Sequence, residues 1–78
     1  MKKLKLIWDF HGPDAHKTAE HQEKHLKEFI ETEKADIHIT GVEHLDDMYS
    51  ICYIVVNEEQ MLRIRDVLKP HRGAWYDE

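Results

Sequence analysis

Seventy-eight residues lie near the lower limit at which one hydrophobic core supports itself, so a single domain over residues 1–78 is expected. Sixteen acidic residues against eleven basic ones give a formal charge of −5 with histidines neutral, which repels phosphate backbones. The one basic stripe, Lys2, Lys3 and Lys5, is too short to override that, so nucleic acid is not an expected partner. No stretch approaches the roughly 20 apolar residues of a membrane span. Lys5 and Asp9 interrupt any signal-like run in "MKKLKLIWDF", and the lone Cys52 rules out an internal disulfide or a Cys-x-x-Cys motif. A reduced, cytoplasmic compartment without a membrane partner is expected.

Residues 3 to 10 alternate, with Leu4, Leu6, Trp8 and Phe10 on one face and Lys3, Lys5, Ile7 and Asp9 on the other, the period of a strand. "HGP" stops it. Pro13 suits the first turn of a helix, and Asp14 is favourable near the helix's positive end. That helix runs to about Lys34, with Ala15, Ala19, Leu26, Phe29 and Ile30 as its inner stripe and Gln22 between them. "DIHITGVEH" is a second strand ending near Glu43, and "HLDD" is a hairpin connection with Asp46 and Asp47 as turn residues. "MYSICYIVV" is a third, almost wholly apolar strand. Asn57 with Gln60 three residues on has the form of a reciprocal helix cap. Met61, Ile64, Val67 and Leu68 line a second helix that Pro70 ends, and "GAWYDE" makes a short last strand.

The order β-α-β-β-α-β, with right-handed crossovers, folds into a four-stranded antiparallel sheet of order 4-1-3-2 with two helices on one face. This α+β pattern resembles the ferredoxin-like (βαββαβ) superfold, and within it the dimeric α/β-barrel proteins; the likeness covers the whole chain as architecture. The first strand–helix junction reads "HGPDA", unlike the Cys-x-x-Cys of heavy-metal carriers or the arginine-containing loop of acylphosphatases. "SICYIVVN" lacks the glycine and basic start of the RNA-recognition strand motif. Catalytic residues vary among the dimeric barrels, so no residue role transfers.

"ICYIVV", residues 51 to 56, is apolar on both faces although helices cover only one, a pattern expected where both faces are buried. A second copy on the open face, giving a homodimer, is the expected cover. The alternative is that Tyr49 and Tyr53 occupy that side and tolerate partial exposure through their hydroxyls.

Seven histidines are the chain's chemical resource. His21 and His25 share a helix face with Glu28, a set that could hold zinc, nickel or copper. "HQEKH" has Gln22 where a zinc-protease motif needs glutamate, so it is no such protease, and a solvated helix flank is the plainer reading. The topology also brings His11, His44 and His71 to one rim with Asp9 and Arg72, and Trp75 could wall a pocket there. The plain alternative is that polar loops collect at sheet ends. Two functions follow: a non-enzymatic homodimeric binding module taking a small molecule or ion at this rim, or a small barrel enzyme transferring protons with His11 as acid/base oriented by Asp9. A divalent-metal-binding protein is the third reading.

Overall fold

A computed structural model describes residues 3–76, in the order β1 (Lys3–His11), α1 (Ala15–Glu33), β2 (Ile39–Asp46), β3 (Tyr49–Asn57), α2 (Glu58–Leu68) and β4 (Arg72–Tyr76). The fold is α+β. The four strands form one antiparallel sheet in the order β2-β3-β1-β4, the expected order read from the other edge. No helix among the described residues is long and apolar enough to cross a membrane.

Alternation divides the sheet. Leu6 and Trp8 of β1 and Cys52, Ile54 and Val56 of β3 face the helices, packing with Ala19, Leu26, Ile37 and Ile64 into the core. Burial pushes the Cys52 thiol up to about 12, so it stays protonated at neutral pH and acts as a small apolar side chain.

Local chemistry fixes the ends of the elements. Gly12, at φ +110°, takes a conformation that side chains rarely adopt. Its N–H bonds the Met48 carbonyl, tying the start of α1 to the β2–β3 hairpin. Asp14 is the N-cap residue, so Pro13 lies just before the helix and not in its first turn, and the Asp14 side chain makes no capping bond. In α2 the Asn57 carboxamide accepts from the Gln60 N–H at 2.9 Å. The reciprocal half of that cap is not made: Gln60 Oε1 is buried without a hydrogen-bond partner.

Two boundaries and one helix face differ from expectation. β2 begins at Ile39, because Ile37 bends back through its N–H to the Ala35 carbonyl and drops into the core instead. β2 then continues to Asp46 across a register shift between His44 and Asp46, and the Asp46 carboxylate accepts from the Met48 N–H to close the turn. On α2, Val67 is 58% exposed, so only Met61, Ile64 and Leu68 of the expected stripe face inward.

Candidate functional site on the open face of the sheet

The opposite face of the sheet carries Lys3, Lys5, Ile7, Asp9 and His11 of β1, across from Asn57, Val55, Tyr53, Ile51 and Tyr49 of β3. Ile7, Ile51 and Val55 are only 3–5% exposed, although no helix covers them. Neighbouring side chains of the same chain do. A Cβ on Gly41 would meet the Tyr53 hydroxyl oxygen at 2.5 Å and its Cζ at 2.6 Å, so the Tyr53 ring lies across β2 where a glycine leaves room. Lys5 Nζ sits 4.0 Å from the centre of that ring and 3.8 Å from the Glu43 carboxylate. The sequence placed tyrosines on this side, and here they sheathe an apolar floor.

At the upper end of this face the polar side chains interlock. Asp9 sits on β1 with its side chain 18% exposed. Arg72, opposite Ile7 at the start of β4, reaches it through Nε (3.0 Å to Oδ2) and Nη2 (3.1 Å to Oδ1), the two-pronged geometry guanidinium favours. Tyr49 donates its hydroxyl to Asp9 Oδ1 at 2.5 Å, and Arg72 Nη2 donates to the Tyr49 oxygen at 3.4 Å. The bonds from Arg72 and then Tyr49 hold the Asp9 carboxyl below the ordinary aspartate value. The same carboxylate pushes the Tyr49 hydroxyl up.

Two histidines finish the cluster. His11 stacks on Tyr49, ring centres 4.4 Å apart and planes within 3°. His71 continues the β4 ladder through its N–H to the Ile7 carbonyl, and its Nδ1 accepts the Asp9 N–H at 2.9 Å. That bond assigns the His71 proton to Nε2.

The expected His11–Asp9 dyad is therefore not what forms. Among the described residues Asp9 is bonded by Arg72 and Tyr49, while His11 meets Tyr49 face to face. A bidentate guanidinium outcompetes a neutral imidazole for one carboxylate. An ionised, fully bonded aspartate is a poor proton acceptor.

The other rim residues part company. His44 lies on the helix side, stacked on His16 with ring centres 3.5 Å apart; their Nδ1 atoms are 2.8 Å apart, and the buried Ser50 hydroxyl lies 3.1 Å from His44 Nδ1. Trp75 pairs with Leu4, on the helix side and well down β1 from Asp9, so it walls no rim pocket. Two clefts, of about 400 and 200 Å³, lie at the opposite end of the molecule, around Gln60 and Arg63 and around His38 and Asn57.

On α1, His21 and His25 meet with Nε2 atoms 2.9 Å apart. Glu28 is not part of that meeting: its carboxylate lies 4.0 Å from the other nitrogen of His25, Nδ1. Among the described residues no group of three or more histidine, cysteine, aspartate or glutamate side chains is placed to hold a metal ion.

Sequence reasoning found Asp9, His11, His71 and Arg72 but missed Tyr49 and Gly41 as working parts. The available signal was parity: Tyr49 and Tyr53 fall on the same face as Asp9. Compared with known proteins, the chain matches no family model, no curated protein and no solved structure.

Proposed function

We propose that this protein is a non-enzymatic interaction module of ferredoxin-like architecture that pairs with a second copy of itself through the open face of its sheet. The observation that carries this reading is the Arg72–Asp9–Tyr49 interlock, which orders an arginine and a tyrosine on a sheet face that no helix covers. Tyrosine and arginine dominate the energetics of interfaces, and side chains already ordered before docking lose little entropy on it.

Charge and size support a second copy as the occupant. The chain as a whole carries −5, which disfavours self-association. The open face instead sets Lys3, Lys5 and Arg72 against Asp9, Glu43 and Asp46, a balanced set that presents no net charge for a second copy to repel. Four strands of up to nine residues span about 20 by 30 Å. That outline is comparable with the ~800 Å² each partner buries in a standard interface.

Ala74 is exposed on this face, opposite Lys5, and makes the test. Sedimentation velocity at micromolar concentrations is expected to show a dimer, and Ala74→Glu a monomer with an unchanged circular dichroism spectrum. A monomeric parent chain overturns the proposal.

A further inference from the structure

The His21–His25 pair on α1 lies across the sheet from the docking face, and nothing in the proposed pairing uses it. Both residues are exposed. Their rings meet edge to face, planes 77° apart and centres 4.5 Å apart, with Nε2 atoms separated by 2.9 Å. A linear N–H···N bond would set the ring centres about 5 Å apart. At 4.5 Å the ring axes tilt instead. Both rings hang from one helix face, four residues apart, and their Nε2 atoms sit within hydrogen-bonding distance of each other, one ring's N–H facing the other's nitrogen.

We propose that His21 and His25 form a two-nitrogen chelate, through Nε2 of each ring, for a divalent metal ion of tetragonal geometry, copper(II) or nickel(II). The separation of 2.9 Å matches this class. With metal–imidazole bonds of about 2.0–2.1 Å it subtends an angle at the metal of about 90°. Square-planar and tetragonal ions take adjacent ligands at that angle. A tetrahedral zinc ion needs the two nitrogens about 3.3 Å apart. Water completes the coordination, consistent with two protein donors and no third.

Glu28 acts as a positioning residue. Its carboxylate lies 4.0 Å from His25 Nδ1, too far for a hydrogen bond but on the side where metal-bound histidines find a carboxylate partner. Closing that gap on metal binding would hold the proton on Nδ1 and leave Nε2 to the metal. The surplus negative charge of the chain raises the local cation concentration.

The test uses the untagged chain titrated with copper(II) chloride, nickel(II) chloride and zinc chloride, followed by calorimetry and by histidine imidazole NMR signals. Substoichiometric copper is expected to broaden the His21 and His25 signals before those of His16 and His44. His25→Gln should weaken copper binding by more than about tenfold, Glu28→Gln by a smaller factor, and His44→Gln by less than twofold. Affinity should fall from copper to nickel to zinc. The proposal is overturned if His25→Gln binds copper as tightly as the parent, if other histidines respond first, or if zinc binds more tightly than nickel. Sedimentation of the metal-free chain decides the dimer separately, so failure of either proposal leaves the other standing or falling on its own data.

Discussion

Gly41→Ala tests how the open face is sheathed, because two physical effects give it opposite signs. Alanine is the better strand residue, since it loses less backbone entropy, and on that ground alone the substitution stabilises by about 0.5–1 kcal/mol. The new Cβ, however, would lie 2.5 to 2.9 Å from the Tyr53 hydroxyl oxygen, Cζ and Cε1, distances real Cβ atoms do not tolerate. The ring must swing away. It then loses its place under Lys5 Nζ, worth about 0.5–1 kcal/mol at an exposed site. Uncovering ~40 Å² of the floor formed by Ile51 and Val55 costs about 1 kcal/mol more. The loss exceeds the gain, and net destabilisation of about 0.5–1.5 kcal/mol is expected. Urea unfolding of the parent, Gly41→Ala, Tyr53→Ala and the double variant measures it as a cycle. In the Tyr53→Ala background the same alanine should stabilise by the strand term alone. If Gly41→Ala stabilises the parent as much as it stabilises Tyr53→Ala, the ring does not lie on Gly41 and the sheathing argument fails.

The Asp9 clamp predicts a pH signature. Because Asp9's folded pKa is depressed below its ordinary value of 3.8, its contribution is fully present above that value and is lost as pH falls through the lower folded one. The stability gap between the parent and Asp9→Asn, at most about 1 kcal/mol given that Arg72 is half exposed, should stay constant from pH 7 to pH 5 and close only in strong acid; a gap that closes near pH 6 would assign it to another group. Cys52, fully buried with its thiol pushed up to about 12, should react with a thiol reagent at neutral pH only as fast as the chain opens, and prompt stoichiometric labelling of the native protein would show the core is not packed as described.

Much of the fold was legible because local signals agreed. Leu4, Leu6, Trp8 and Phe10 alternate over a full strand, Ala15, Ala19 and Leu26 keep helical spacing, and Asn57 caps α2 as its side chain requires. The failures share a cause, which is dependence on distant partners. Ile37 and Ile39 alternate like one strand, yet a tight bend at Ala35 sends the first into the core. Val67 has the spacing of an inner residue, but α2 lies so that the Ile64 side meets the sheet.

The same limit governs the site. Parity put Asp9 and His11 on one face, but it could not set the register of the short β4 that brings Arg72 opposite Ile7 and within reach of Asp9. Nor could it reveal the register shift beside His44 that sets Gly41 against Tyr53. His44 was expected beside His11 because both lie at one end of the sheet. They sit on opposite faces, since His44 pairs with the inward Ser50 and His11 with the outward Tyr49.

The pairing of two copies through the open face is tested most directly by intermolecular NOEs in a sample mixing isotope-labelled and unlabelled chains. The account predicts cross-peaks between copies from the Tyr49, Tyr53 and Tyr76 rings and the Ala74 methyl group, with none from the outer faces of α1 and α2. Contacts confined to the helices, or no contacts between copies at millimolar concentration, would contradict it.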